Sequence, residues 1–137
     1  LPLSAQHWVR TTAEETAHLD KMVLTVALSY GGRAEIVDAV KGLLKNVEAG
    51  TIQPHQVDEA LIEQYLYTRP LPDPDLLIRT SGETRISNFL LWQLAYSEFV
   101  FVDTYWPDFS RETLDAAIAE YQRRTRRFGG LKARSTA

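Results

Sequence analysis

The chain has 137 residues, of which 45% are hydrophobic and 24% charged, so it is long enough to form one domain with a hydrophobic core. It contains no cysteine, which excludes disulfides and thiolate metal sites, and its net charge of -3 argues against nucleic acid as a partner. No apolar run is long enough to cross a bilayer and the first residues lack the pattern of a secretory signal, so we expect a cytoplasmic protein without a transmembrane segment.

The first half of the chain predicts a helix, a buried strand and a second helix. The residues up to about Leu19 are expected to be helical. Residues 23–30, "VLTVALSY", are almost continuously apolar and rich in β-branched side chains, the pattern of a strand covered on both faces in a parallel sheet. Gly31 and Gly32 end this strand, and Gly50 stands at the C-cap position of the next helix. That helix is predicted from inward-facing apolar residues at helical spacing, namely Ile36, Val37, Val40, Leu43, Leu44 and Val47.

The second half predicts two more strands and two more helices. Pro54 opens a short helical stretch, and the proline-rich "TRPLPDPD" that follows it favours an extended connection. Residues 75–79, "DLLIR", and residues 99–103, "FVFVD", have the composition of buried strands. Ser110 is the expected N-cap of a last helix, whose inward-facing side chains are predicted to be Leu114, Ile118 and Tyr121.

The order of these elements indicates the fold class. Strands that alternate with helices favour an α/β fold with an open, mainly parallel sheet flanked by helices. In such a sheet, ligands bind outside the carboxyl ends of the strands. We therefore expect a binding site where the "DLLIR" strand ends.

Two arginines flank the polar turn that follows this strand. Arg79 ends the strand, Gly82 allows the backbone to turn, and Arg85 lies at the far side of the turn. Guanidinium groups bind phosphate oxygens in a bidentate fork and keep their charge when desolvated, so with free backbone N–H groups this pattern suits a diphosphate. Hydroxyl groups for further hydrogen bonds come from Thr80, Ser81 and Ser87. The alternative is a structural network in which the arginines pair with Glu83, Asp75 or Glu98.

Glu98 begins an apolar strand, where a carboxylate must be exposed, paired or bound to a cation because burying it alone is costly. Mg²⁺ is a suitable partner beside a diphosphate, since it takes one or two carboxylates together with phosphate oxygens and water. The basic run "RRTRR", residues 123–127, is expected from its composition to be a solvated helix end.

Three stretches of the sequence resemble one enzyme family. The segments "SYGGRAEIVDAV", "PDPDLLIRTSGETRISNFLLWQLAYSEFVF" and "WPDFS" are similar to the carboxyl-terminal half of the cis-prenyltransferases, the undecaprenyl (isoprenyl) diphosphate synthases. The resemblance extends from about residue 1 to residue 129. It implies a homodimeric, Mg²⁺-dependent enzyme that adds isopentenyl diphosphate to an allylic diphosphate such as farnesyl diphosphate. The polyprenyl diphosphate product would partition into membranes.

The resemblance also implies roles for individual residues. Arg79, Arg85 and Ser87 match family residues that hold the diphosphate of isopentenyl diphosphate, and Glu98 matches a glutamate that helps to bind Mg²⁺. Arg127 and Gly129 match a terminal motif that reaches across the dimer to the partner's isopentenyl diphosphate. At Arg127, therefore, the resemblance replaces the solvated helix end with a substrate-binding role.

One part of the family pattern has no counterpart in these residues. Family members carry an amino-terminal loop whose aspartate binds Mg²⁺, so no catalytic residue is assigned in this chain. We expect residues 1–130 to be the carboxyl-terminal part of a single synthase domain, from a fragment or truncated form, and residues 131–137 to be a flexible tail. The alternatives are a non-catalytic accessory subunit of a heteromeric cis-prenyltransferase, an inactive fragment and a generic phosphate-binding module.

Overall fold

The computed structural model describes residues 2–124 and contains, within them, four helices and two strands. Short 3₁₀ turns at Pro54–Gln56 and Trp106–Asp108 connect some of these elements. None of the helices in residues 2–124 combines the length and the apolar character that crossing a bilayer requires. In chain order the elements are α1 (Leu3–Thr16), α2 (Gly32–Glu48), α3 (Glu59–Glu63), β1 (Leu76–Arg79), β2 (Glu98–Phe101) and α4 (Arg111–Arg123).

The strands β1 and β2 form a parallel pair, and this confirms the predicted fold class. Both strands were expected from their apolar composition, and their register pairs Leu76 with Glu98 and Arg79 with Phe101. Helix α4 contacts β2, and α2 contacts α3. The N-cap prediction for α4 is also confirmed, because the Ser110 side chain accepts a hydrogen bond from the Thr113 N–H at 3.3 Å.

The predicted strand at residues 23–30 is wrong. These residues form no strand in the structure, and the side chains of residues 23–29 are exposed, with Val23 at 71% and Leu24 at 80%. A strand requires a neighbour that supplies N–H and C=O groups, and within residues 2–124 the only strand pairing is that of β1 with β2. Apolar, β-branched composition reports a preference for burial, whereas pairing depends on what lies beside the segment.

The apolar stripes of α2 and α4 are wider than the faces that the structure covers. In α2, Leu43 is buried as predicted, but Val37 and Val40 are about half exposed. In α4, Ala117 is buried, while the predicted inward residues Leu114 and Ile118 are 38% and 36% exposed. The most buried apolar residues of the two helices are Ala39 and Ala117, at 3% and 2% exposed, and the larger apolar side chains beside them are only partly covered.

A small hydrophobic core lies between these elements. The most buried apolar side chains are Leu66 after α3, Val100 in β2 and Ala117 in α4, each 2% exposed. Leu94, which precedes β2, is 5% exposed and extends this core. Because a fully buried leucine is surrounded by close-packed atoms, its truncation leaves a cavity that the surroundings fill only in part.

We expect Leu66→Ala to lower the free energy of unfolding by about 2–5 kcal/mol, the range for buried leucines. The matched control is Leu24→Ala, since Leu24 is 80% exposed and its truncation should cost less than about 0.5 kcal/mol. Urea unfolding monitored by circular dichroism measures both values. An equal loss in the two variants would show that Leu24 is buried in solution and would contradict the fold described here.

Candidate functional site

Arg79 lies at the carboxyl end of β1, where the fold class predicts a ligand site. Its carbonyl accepts a hydrogen bond from the Val102 N–H at 2.9 Å, which fixes the backbone against the residues after β2. The residue is half-buried, and within residues 2–124 its guanidinium forms no ion pair. A half-buried cation without a counter-charge favours an anionic ligand.

The turn after Arg79 is fixed by the residues that follow β2. The Ser81 N–H donates to the Thr104 carbonyl at 2.9 Å, and the Gly82 N–H donates to the Val102 carbonyl at 3.0 Å. The prediction of free backbone N–H groups is therefore wrong for these two residues, because both donate to carbonyl groups of the segment that follows β2. A β-carbon on Gly82 would lie 3.1 Å from Asp103 Oδ1, so the Asp103 carboxylate packs next to the turn at Gly82.

Arg85 lies on the far side of the turn and is exposed. Its guanidinium forms an ion pair with Glu83, and the two side chains are 70% and 33% exposed. The structural pairing that the sequence left open is thus present for Arg85, with Glu83 as the partner. An ion pair this exposed contributes only about 0–1 kcal/mol, so it leaves Arg85 able to bind a stronger anion.

Ser87 and Asn88 join this turn to the start of α2. Both have left-handed backbone conformations, with φ of 49° and 63°. The Asn88 carbonyl accepts a hydrogen bond from the Gly32 N–H at 2.7 Å, and Asn88 Oδ1 accepts one from the Arg33 N–H at 2.9 Å. Asn88 therefore caps α2 from a distant part of the chain and holds Ser87 beside the first turn of that helix.

Glu35 is a fully buried carboxylate that sequence reasoning missed. It is 0% exposed and accepts hydrogen bonds from the Tyr30 hydroxyl, the Tyr67 N–H at 2.8 Å and Gln93 Nε2 at 3.1 and 3.2 Å. Burial, and then the hydrogen bond to Glu35, raise the pKa of the Tyr30 hydroxyl far above its ordinary value, so this group remains a donor. The available signal was its helical spacing from the buried Ala39 and Leu43.

Glu98 lies at the opposite end of the strand pair from Arg79. The register sets Glu98 against Leu76, so at about 3.3 Å per residue it is about 10 Å along the strand from Arg79. Glu98 Oε2 pairs instead with Arg124 Nη1 at 3.0 Å, and the same nitrogen donates to the Phe99 carbonyl at 2.8 Å. Arg124 also pairs with Glu120. The structure therefore does not bring the two predicted site residues Glu98 and Arg79 together.

Arg127 and Gly129, which the resemblance implies to be substrate-binding, lie outside the described residues. Within residues 2–124, no group of three or more histidine, aspartate or glutamate side chains could hold a metal ion. Arg79, Arg85 and Ser87 lie in the segment of residues 79–87, which begins at the carboxyl end of β1, and their joint role in binding stays a prediction.

Comparisons with known proteins agree on one family. The undecaprenyl diphosphate synthase family model (Prenyltransf) matches residues 1–129. The isoprenyl transferase of Streptococcus thermophilus (strain CNRZ 1066) is 51% identical over 135 residues, which cover 96% of this chain and 54% of that protein. The isoprenyl transferase of Bacillus subtilis (strain 168) is 50% identical over 131 residues, covering 96% of this chain and 50% of the relative.

A solved structure is similar as well. Lavandulyl diphosphate synthase from Lavandula x intermedia, in complex with dimethylallyl diphosphate, has a TM-score of 0.91 and 40% sequence identity, and the match covers 95% of this chain and 56% of that chain. The chain thus spans about half the length of the curated relatives it matches.

The contact between Glu98 and Arg124 can be tested by reversing its charges. Glu98→Arg should destabilise the fold because it sets two cations together, and adding Arg124→Glu should restore a coupling of about 0.5–1 kcal/mol, the range for partly exposed pairs. Urea unfolding of the single and double variants measures this coupling. Reversal of the more exposed Arg111–Asp115 pair is the control and should give a smaller coupling. A coupling near zero between Glu98 and Arg124 would mean that the two side chains are not in contact in solution.

Proposed function

Because the chain belongs to the undecaprenyl diphosphate synthase family, we propose that its arginine turn, residues 79–87, binds the diphosphate of isopentenyl diphosphate in a cis-prenyltransferase. The whole protein would transfer an allylic chain, such as that of farnesyl diphosphate, to isopentenyl diphosphate and so build a polyprenyl diphosphate. The observation that carries this proposal is that Arg79, a half-buried residue at the carboxyl end of β1, forms no ion pair within residues 2–124.

The chemistry of the turn favours a diphosphate. A guanidinium donates two parallel hydrogen bonds to one phosphate group, and a diphosphate presents enough oxygens for two such groups. Arg79 and Arg85 would supply them, with a further hydrogen bond from the Ser87 hydroxyl, two residues along the chain from Arg85. Since the N–H groups of Ser81 and Gly82 are already bonded, the affinity would come from side chains.

Binding the diphosphate would do the main catalytic work of this half of the enzyme. Isopentenyl diphosphate reacts through its neutral double bond, which attacks C1 of the allylic substrate as the allylic diphosphate leaves and a proton is lost from the new chain. The double bond offers little for a protein to hold. Fixing the charged end converts an encounter of two molecules into a positioned reaction, which is a large part of the rate gain available to such an enzyme.

Magnesium stays a prediction from the family resemblance. Glu98, the carboxylate implied as its ligand, is paired with Arg124 and lies at the other end of the strand pair from Arg79. The described residues of one chain therefore do not fit a complete Mg²⁺ site, and no step proposed here depends on the ion. Dimerisation, and a single synthase domain that includes residues 1–130, are likewise part of the proposal.

An accessory, non-catalytic subunit is the second candidate, because Glu98, the carboxylate that the resemblance implies as a Mg²⁺ ligand, is paired with Arg124. Two experiments distinguish the accessory subunit from the catalytic half-site. One titrates this chain with isopentenyl diphosphate, and the other measures incorporation of labelled isopentenyl diphosphate after a second chain is added. Binding by this chain favours the catalytic half-site. Stimulation of the second chain without such binding favours the accessory subunit.

We expect Arg79→Ala to weaken isopentenyl diphosphate binding about tenfold to a hundredfold, the loss that follows from removing hydrogen bonds to a charged group. Arg79→Lys should bind at an intermediate level, because lysine keeps the charge and loses the fork. Isothermal titration calorimetry measures each dissociation constant.

Arg111→Ala is the matched control, since the Arg111 side chain is 87% exposed on α4. It should bind isopentenyl diphosphate as the wild-type chain does. An unchanged dissociation constant in Arg79→Ala, or an equal loss in Arg111→Ala, would contradict the proposed site.

A further inference from the structure

The buried pair of Glu35 and Gln93 connects α2 to the segment that follows the arginine turn. Glu35 is 0% exposed and Gln93 is 2% exposed. Gln93 Nε2 donates to both carboxylate oxygens of Glu35, at 3.1 and 3.2 Å, and to Thr68 Oγ1 at 3.0 Å. Within residues 2–124 Glu35 forms no ion pair, so neutral donors alone hold this carboxylate.

The carboxylate determines which way the Gln93 amide points. The Glu35 oxygens are the acceptors in every hydrogen bond that this side chain forms, and the Gln93 amide presents its NH₂ group to them. In this orientation Gln93 Oε1 is buried and accepts no hydrogen bond from the described residues. An unsatisfied buried oxygen costs about 1–3 kcal/mol, and the contact with Glu35 must outweigh that cost for the orientation to persist.

The segment between Ser87 and Gln93 needs such an anchor. Ser87, Asn88 and Leu90 all have positive φ, at 49°, 63° and 43°. Residues without glycine's freedom pay about 1–3 kcal/mol each for such conformations, which persist only where the surroundings fix them. Asn88 is bonded to the start of α2, and Gln93 is bonded to Glu35 one turn further along the same helix. The segment is thus fastened to α2 at two points.

We infer that Glu35 is a positioning residue for isopentenyl diphosphate, acting through Gln93 to hold Ser87 and the adjoining Arg85 where the diphosphate binds. The inference rests on the proposed function, because it assigns Glu35 to that same site. Glu35 touches no substrate, since it is fully buried behind the segment.

The test exchanges the two side chains. Glu35→Gln leaves one acceptor for three donors and turns an NH₂ group towards the NH₂ of Gln93, so the segment loses its anchor. Gln93→Glu alone sets two carboxylates together in a buried site. The double variant Glu35→Gln/Gln93→Glu again offers one carboxylate to one amide. Glu48→Gln, at the exposed end of α2, is the matched control.

Two measurements read the result in the wild type and each variant. Isothermal titration calorimetry gives the dissociation constant for isopentenyl diphosphate. Hydrogen exchange by mass spectrometry reports the protection of residues 86–93 without any ligand. We expect Glu35→Gln to raise the dissociation constant about tenfold, as for a lost buried hydrogen bond, and to speed exchange in this segment, with both effects largely reversed in the double variant. Leu66→Ala should lose stability without a change in the dissociation constant.

Other results would overturn the inference. Exchange in residues 86–93 that is unchanged by Glu35→Gln would show that Glu35 does not hold the segment. Faster exchange with an unchanged dissociation constant would show that the segment is held but does not position the ligand. If the wild type itself fails to bind isopentenyl diphosphate, the proposed function fails and the role of Glu35 at that site falls with it, while the exchange data still report whether Glu35 anchors the segment.

Discussion

The parallel pairing of β1 with β2 determines which side chains of this chain can act together. Because both strands run in the same direction, Arg79 shares one end of the pair with Phe101, and Glu98 shares the other with Leu76. Beyond the strands, the N–H groups of Ser81 and Gly82 donate to the Thr104 and Val102 carbonyls and so hold the turn against the segment that follows β2. The register thus sets Arg79 at the start of the arginine turn. Glu98 lies at the other end of the strand pair, where it contacts Arg124.

The buried carboxylate beside the turn leaves the cations of the site available. Had Glu35 been paired with Arg33 or Arg79, the pair would have offset the cost of burial, but a guanidinium would have been lost to any anionic ligand. Glu35 is instead held by a tyrosine hydroxyl, a backbone N–H and an amide. These neutral donors hold the carboxylate without occupying a guanidinium, so none of the arginines is used to compensate its burial.

The sequence predicted correctly those features that depend on interactions between residues close together in the chain. The strand "DLLIR", the cap at Ser110 and the turn at Gly82 depend on neighbouring residues, and the structure has all three. The strand at residues 23–30 failed because pairing depends on a neighbour that composition does not reveal. Glu35 and Asn88 were missed for a related reason, since their partners lie 58 and 55 residues away along the chain.

The proposed site would have to exchange one anion for another at Arg85. Its present partner, Glu83, belongs to an exposed pair, whose contribution is about 0–1 kcal/mol because water and salt screen it. A diphosphate carries more charge and can be held by Arg79 at the same time, so its hydrogen bonds to two guanidiniums outweigh that loss. The pairing with Glu83 would then serve the empty site by keeping Arg85 on the turn. An arginine held by a deeply buried carboxylate could not make this exchange at so small a cost.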